Sequence, residues 1–543
     1  MARVGPKSFL LFVLLALGGS PSQAQSPAKD PTALAPTEST ARVVTYGQTP
    51  LELARQYYRS GRLDDAIAEY NKVIQADPDS ALAYAGMVDV YLKQKKAKEA
   101  YDAAEKAAAL APTNDRVKVA LGEVYFRQGK MADAEKLFTE LIKAGTTEPR
   151  ADLGLARVYR AEALYEHAKL AIDRAYELDP GDPDILKERA AYLSVAEQIK
   201  ALRLFLAGGD DGEEQRRLRT ALLTLQDQSE RSGRSCRLVK NPGSTQTNLE
   251  PLMYDPKHIR GYGLRVGLNG TSSKLLLDTG ASGIVVDRKI AEKAGIKPVA
   301  ESQSSGIGDR GAVEAYIGYA ESVKIGELEF HGCYVDVINQ NSVAGQDGLI
   351  GANVFSSFLV DLDLPNAKMK LSPLPARPGQ SDDAKPKPDE SPAASPRFHD
   401  RYIAPEMRTF SPMFQFGHQL LLDTRVNDLP PKLFLVDTGA FANTISPAAA
   451  GEVTKVSANS NMKVKGISGE VKNVFRGDEL TLHFASLRQK NQDIVAFDMT
   501  GISNSTGTEV SGLLGFSMLR ILEIKIDYRD GLIDFEYNAK VSH

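Results

Sequence analysis

Cysteine is close to absent: Cys236 and Cys333 are all that 543 residues contain. They lack CxxC spacing, and a single histidine, His331, near Cys333 does not make a zinc-type ligand set. In an oxidising compartment the two could pair, although a chain of this length does not need the staple. Tryptophan is missing altogether, and we attach no function to that. The seven histidines are scattered and never form HExxH, so metal-assisted hydrolysis has no support and neither a metal nor another cofactor is expected. Long basic runs are also missing. With a formal net charge of −4, nothing points to nucleic acid or to an anionic membrane surface. Beyond the N-terminus no apolar stretch approaches the roughly 20 residues that cross a bilayer, so no stable membrane span is expected.

What is present starts with a leader-like segment. Arg3 and Lys7 precede a short apolar stretch, Phe9 to Leu17, and Ser22-Gln23-Ala24 carries small residues at its two outer positions. That pattern predicts a cleavable signal peptide, residues 1–24, and a secreted or periplasmic protein; an uncleaved anchor is the alternative. Removing it takes away two basic residues and no acids, and the formal charge moves from −4 to −6. The remaining length is too great for one hydrophobic core and implies two to four domains. A composition 42% hydrophobic and 25% charged places them in the soluble globular class.

A Pro/Ser/Thr/Ala-rich tether, residues 25–46, leads into a period of 34 residues. Tyr57, Tyr91, Tyr125 and Tyr159 keep it, as do Ala66, Ala100, Ala134 and Ala168. Pro78, Pro112 and Pro180 hold the same register, and Thr146 stands where the remaining proline would fall. Each period predicts two helices, as in LELARQYYRSG followed by LDDAIAEYNKVIQADP. The alanine suits a close helix crossing, and the proline ends the second helix. The pattern resembles the tetratricopeptide (TPR) repeat, with four units over 47–182 and a helical cap and connector over 183–237. The resemblance implies an all-α solenoid whose concave groove binds a peptide or a partner protein.

From about Leu238 short β-rich runs replace the helical period. The stretch SPLPARPGQSDDAKPKPDESPAASPR, residues 372–397, reads as a solvated linker. It separates two β segments, 238–371 and 398–543, that are copies of one another. KLLLDTGASGIVV aligns with LFLVDTGAFANTI, and SSGIGDRGAVEAYIG with VKGISGEVKNVFRG. DGLIGANVFSSFLVDLDLPNAKMKL aligns with SGLLGFSMLRILEIKIDYRDGLIDF. The offset grows from 159 residues at the aspartates to 164 at the last glycines, the drift of small loop insertions.

An apolar strand has no use for a carboxylate, yet Asp278 and Asp437 each end one, with Gly280 and Gly439 allowing a sharp turn. Two such units related by a pseudo-twofold axis would bring the aspartates face to face. Carboxylates about 3 Å apart cannot both ionise easily, so the pair holds one proton. The ionised member can take a proton from water while the other polarises a carbonyl.

These repeated Asp-Thr-Gly-Ala turns, each with a later Leu-Ile-Gly or Leu-Leu-Gly, resemble the retropepsin-like aspartic proteases. The resemblance covers roughly 250–371 and 405–540. It implies two all-β acid-protease barrels and an aspartic endopeptidase acting on polypeptide through Asp278 and Asp437. It implies that Thr279 and Thr438, with their glycines, brace the two turns across the lobe interface. It also implies that Gly306, Ile307 and Gly308, and Gly466, Ile467 and Gly469, belong to flaps over the substrate. Ala352 and Phe516 follow the two later glycine motifs. The competing reading is a non-catalytic peptide-binding scaffold of TPR repeats and protease-like barrels. Lobe pairing within one chain is favoured by effective concentration, and pairing between two chains of a homodimer stays open. GYGLRVG, residues 261–267, has the wrong spacing for a dinucleotide loop and reads as a strand leading to the first turn. Asp361, Asp363, Asp527 and Asp530 read as solvated turn residues rather than a calcium site.

Overall fold

The computed structural model describes residues 49–206, 213–231, 236–340, 346–378, 399–458 and 462–537. The expected signal peptide and tether, and the linker beyond residue 378, lie outside the described residues. The chain forms two units, one ending at Val124 and the other beginning at Tyr125.

In the first unit, Thr49 opens helix Pro50–Arg59 with a capping box. Its hydroxyl accepts the Glu52 N–H at 3.3 Å, and a Glu52 carboxylate oxygen accepts the Thr49 N–H at 2.9 Å. Helices Leu63–Ala76, Ala81–Lys93 and Ala97–Leu110 follow. Ala66 and Ala100, from the 34-residue register, are fully buried. A methyl group on Gly86 would sit 2.3 Å from the Tyr70 ring, so bare backbone is what lets two helices cross here. The second unit repeats the device two periods on, where a methyl on Gly154 would sit 2.2 Å from the Phe138 ring. Before its β strands this unit runs through helices Met131–Lys143, Pro149–Ala161, Tyr165–Leu178, Pro183–Arg189, Val195–Leu206 and Glu213–Arg231. The last of these lies against lobe 1, the β segment before the linker; the segment after it is lobe 2. Its Asp227 accepts the Tyr334 hydroxyl at 2.6 Å, and the Arg231 guanidinium stacks on the Tyr319 ring at 4.0 Å.

The β half is two closed barrels. In lobe 1 the strand order is Arg237–Lys240, Leu328–Ile338, Ile284–Asp287, Gly348–Gly351, Thr271–Asp278, His258–Leu268, Val313–Ile325, Lys297–Ser304. Leu328–Ile338 also pairs with Val313–Ile325 and closes the sheet. In lobe 2 it is Phe414–Phe416, Gln419–Val426, Lys432–Asp437, Gly512–Gly515, Thr444–Ile445, Leu487–Phe497, Val474–Phe484, Val456–Ala458. There Gln419–Val426 closes on Val474–Phe484.

A six-stranded sheet joins the lobes within the one chain. Its centre is the antiparallel pair Phe358–Asp363 and Leu522–Asp527, with Val360 opposite Ile526 and Leu362 opposite Ile524. All four side chains are fully buried, each contributing about 1.5–3 kcal/mol by removal from water. Cys236 and Cys333 form a disulfide that ties the start of lobe 1 to strand Leu328–Ile338.

Asp527 and Asp530 are fully buried, which corrects the reading of them as solvated turn residues. Asp527 Oδ1 accepts the N–H groups of Arg529 at 2.8 Å and Asp530 at 3.1 Å, shaping the turn after its strand. Asp530 pairs with Arg529 at 2.7 Å and with Arg377, and accepts the Tyr402 N–H at 2.9 Å. Chain from both sides of the linker covers this turn, and a covered carboxylate is tolerated because guanidinium and N–H partners satisfy it.

Candidate active site

Each lobe delivers its aspartate by the same construction. Thr271–Asp278 runs parallel to Gly348–Gly351 with Asp278 opposite Gly351, and Lys432–Asp437 runs parallel to Gly512–Gly515 with Asp437 opposite Gly515. The residues before the aspartates, Leu275 to Leu277 and Phe434 to Val436, are buried, so each carboxylate ends a rigid strand. A methyl on Gly351 would fall 2.3 Å from the Ala281 carbonyl oxygen, and one on Gly515 would fall 2.3 Å from Ala442. Only glycine lets the turn after each aspartate fold back over the second strand.

An asparagine then locks each crossing. In lobe 1 Asn353 Oδ1 accepts the Gly283 N–H at 3.1 Å; in lobe 2 Asn443 Oδ1 accepts the Gly515 N–H at 2.8 Å. Sequence reasoning passed over both. Their signal is an amide set among apolar residues beside a DTGA turn or a glycine motif.

The two turns grip one another reciprocally. Thr279 N–H donates to Thr438 Oγ1 and Thr438 N–H donates to Thr279 Oγ1, both at 3.0 Å. The hydroxyl of Thr279 donates to the Val436 carbonyl at 2.7 Å, and that of Thr438 to the Leu277 carbonyl at 2.9 Å. Both threonines are buried, where each bond contributes roughly 0.5–1.5 kcal/mol and an unmade one costs more.

This grip brings Asp278 and Asp437 together. A methyl on Gly439 would sit 2.3 Å from Asp278 Oδ2, and one on Gly280 would sit 2.8 Å from the Asp437 carboxyl carbon. Each glycine therefore leaves the space that the other lobe's carboxylate fills. The two carboxyls share a hydrogen bond. Within the turns, Asp278 Oδ1 accepts the Gly280 N–H at 2.8 Å, and Asp437 Oδ1 accepts those of Gly439 and Ala440, both at 2.9 Å.

Burial, and next the Asp437 charge, hold Asp278 well above the usual carboxylate range. Burial also raises Asp437, but the Ala440 N–H and then the hydrogen bond from Asp278 pull it back. The pair thus carries one proton, held toward Asp278. Arg260 lies half-buried within electrostatic reach of Asp278; burial lowers the guanidinium pKa and the carboxylate opposes that.

Over the dyad-bearing cleft the two glycine-rich tips interlock. Gly306 N–H donates to Ser468 Oγ at 3.0 Å, Ser468 N–H to the Ile307 carbonyl at 3.1 Å, and Arg310 N–H to the Ser468 carbonyl at 2.8 Å. A methyl on Gly308 would lie 2.3 Å from the Ser468 backbone, and one on Gly466 would lie 2.5 Å from the Ile307 carbonyl oxygen. Gly469 has a φ of 93°, which glycine alone adopts without strain. Ile467 reaches across to Leu276, Val285, Ile338 and Leu349 of lobe 1, while Ile307 packs with Leu435, Val510 and Leu513 of lobe 2. No group of three metal-ligating side chains occurs among the described residues.

Comparison with known families agrees with this architecture. The aspartyl protease family model matches residues 264–354 and 422–518. Tetratricopeptide repeat models match 91–158 and 54–95. The chain joins N-terminal TPR repeats to two retropepsin-like regions.

Similarity to individual proteins is more local. The chain is 26% identical over 123 residues to DnaJ homolog subfamily C member 3 of Mus musculus, 23% of this chain and 24% of that protein. It is 26% identical over 138 residues to human protein O-mannosyl-transferase TMTC1, covering 25% and 16%. It is 32% identical over 90 residues to cellulose synthase operon protein C of Pseudomonas fluorescens, covering 17% and 7%. The chain thus spans about a quarter or less of the length of these relatives.

Proposed function

We propose that this protein is an aspartic-type endopeptidase in which Asp278 and Asp437 together activate a water molecule against a peptide bond. One observation carries the reading: each lobe's glycine vacates the volume that the other lobe's carboxylate occupies, so the two are built as a pair. Asp437, with two N–H donors on one oxygen, is the ionised member and removes a proton from water. Asp278 carries the shared proton and donates it to the scissile carbonyl oxygen as the water oxygen attacks the carbonyl carbon. Collapse of the resulting diol breaks the carbon–nitrogen bond. The proton taken by Asp437 passes to the leaving nitrogen, and Asp278 recovers its own from the diol.

The tips carrying Gly306, Ile307 and Gly308, and Gly466, Ile467 and Gly469, act as flaps that part to admit an extended polypeptide and then exclude water. Thr279, Gly280, Thr438 and Gly439 brace the turns. The TPR region recruits substrate or a partner protein. A secreted or periplasmic protein, cut after Ala24, agrees with a disulfide between Cys236 and Cys333. Pairing of both lobes within one chain agrees with the shared six-stranded sheet.

The test is cleavage of a denatured polypeptide by the chain from Gln25 onward, between pH 3 and 8, beside Asp278→Asn and Asp437→Asn. Cleavage by wild type and loss in both variants supports the dyad. Cleavage that survives either substitution, or a wild type inert at every pH, sinks it and leaves the peptide-binding scaffold.

A further inference from the structure

The duplicated aspartate motif carries a lysine in one lobe where it carries a leucine in the other. Four residues before Asp278 stands Lys274, and four before Asp437 stands Leu433. The Lys274 side chain is 38% exposed and pairs with Glu250 at 3.6 Å. Leu433 is 1% exposed, yet it lies outside the barrel interior. The barrel core takes Phe434 and Val436 from this strand, and Leu433 and Leu435 face the other way.

What covers Leu433 is the third repeat, the one that holds Tyr125 and Ala134. The turn between its two helices, residues 128–130, belongs to the same unit as the lobes. Gly129 there has a φ of 75°, and a methyl on it would lie 3.0 Å from Leu433 Cδ1. Met131 starts the following helix and is buried in one apolar cluster with Leu421, Leu433, Leu435, Val510 and Leu513.

Hydrogen bonds fix this turn to the segment that feeds the glycine strand. Arg127 Nη2 donates to Asn504 Oδ1 at 2.9 Å. The Glu509 N–H donates to the Arg127 carbonyl at 2.8 Å, and the Thr508 hydroxyl to the Phe126 carbonyl at 2.8 Å. Next along, the Ser511 N–H donates to the Leu433 carbonyl at 2.8 Å. Strand Gly512–Gly515 then runs parallel to Lys432–Asp437 and ends with Gly515 opposite Asp437. Both strands that place Asp437 therefore begin against the third repeat. The fourth repeat is anchored to lobe 2 as well: Asp400 Oδ1 accepts the N–H groups of Glu166 and His167 at 3.0 and 3.2 Å, and the Tyr165 hydroxyl donates to Gln415 at 2.7 Å.

We infer that the third-repeat turn, with Arg127 and Met131, is a positioning element for Asp437. The repeats from Tyr125 onward are then a working part of lobe 2, besides any recruiting role. Lobe 1 keeps a lysine at the equivalent position, which is open to water. A partner that drew the turn away would bare Leu433 and loosen the strand of one aspartate only. The effect on cleavage rests on the peptidase reading; the placement of the strand does not.

Two readouts in the full chain separate these. The first is amide hydrogen exchange. Met131→Ala and Arg127→Ala should each speed exchange across residues 433–445 about tenfold and leave 274–286 of lobe 1 near wild type. Met131→Leu, which nearly conserves volume, should restore slow exchange. Leu433→Lys installs the lobe 1 residue and should act as Met131→Ala does, more strongly. The second is the pH dependence of kcat/KM. A loosened strand weakens the Gly439 and Ala440 N–H bonds to the Asp437 carboxylate, so the acid limb should move up by about one pH unit. A turn that only held the fold together would lower the amount of active enzyme and leave that limb in place.

Exchange that rises equally in both lobes, or in neither, overturns the positioning role, as does a Met131→Leu variant as fast as Met131→Ala. If Leu433→Lys does not fold, Arg127→Ala and the Met131 pair still decide the matter. An unmoved acid limb beside faster lobe 2 exchange overturns the link to the dyad. A wild type that cuts nothing ends the peptidase reading, while exchange still tests the turn.

Discussion

Set side by side, the two lobes share a frame and differ in what they put on it. The strand before each aspartate strand pairs in the same register, with Gly263 opposite Leu276 and Leu421 opposite Leu435, each two residues before its aspartate. Three residues before those partners, lobe 1 has Arg260 and lobe 2 has His418. One is a half-buried cation within electrostatic reach of Asp278, the other a buried ring that burial pushes down to about 4. Four residues after the aspartates lobe 1 has Ser282, where lobe 2 shows Phe441, 51% exposed. Lobe 1 alone has a disulfide. The duplication supplies geometry, and the turns differ in what they give each carboxyl: Asp437 Oδ1 accepts the N–H groups of Gly439 and Ala440, Asp278 Oδ1 that of Gly280.

The sharpest break of this comparison is chemical. Asp278→Asn or Asp437→Asn alone should each lower cleavage by about 10²–10⁴-fold. Mixing the two variants should not restore it, because the lobes share a sheet inside one chain. Recovery would mean that lobes exchange between molecules.

Next in size is the disulfide. Replacing Cys236 and Cys333 by serine should cost about 2–5 kcal/mol in denaturant unfolding. The same result obtained without reductant sensitivity in the wild type would argue against the bond.

The threonine grip predicts equality where the lobes otherwise diverge. Thr279→Val and Thr438→Val should each cost about 1–3 kcal/mol. The double variant should cost less than their sum, since each removes partners of the other.

The smallest effect is on stability against pH. Burial raises Asp336 in lobe 1, and Glu162 in the helical part, each to about 7. A raised carboxyl binds its proton more tightly when folded, so its contribution is complete below the ordinary value and fades as pH climbs through about 7. His418 acts in the opposite sense between about 4 and its ordinary 6.5. The melting temperature should therefore fall between pH 6.5 and 8, and Asp336→Asn should flatten that fall. A melting temperature that rises over this interval would contradict the assignment.

Much of the architecture was legible because it is written twice or more. Tyr57 to Tyr159 and Ala66 to Ala168 recur at one spacing, and the DTGA turns recur with their glycine motifs, so chance cannot imitate them. The meeting of Asp278 and Asp437 follows from that duplication. What escaped depends on chain far away. Phe358–Asp363 pairs with Leu522–Asp527 across more than 150 residues, and nothing local distinguishes such a strand from another edge. Asp527 and Asp530 look like turn residues because they are; their burial comes from Arg377 and Tyr402, on the far side of a linker. His418 is one unremarkable histidine until the fold buries it.

The grip of Asp530 has a consequence for the chain as a covalent object. It holds Arg377 on one side of residues 379–398 and the Tyr402 N–H on the other. A single cut between those anchors would make two polypeptides and four termini without freeing either piece. Separation would still require stripping Phe358–Asp363 from Leu522–Asp527 and opening the core between them. The connector matters for how quickly the lobes first find each other; once they have met, the molecule can outlive its own continuity.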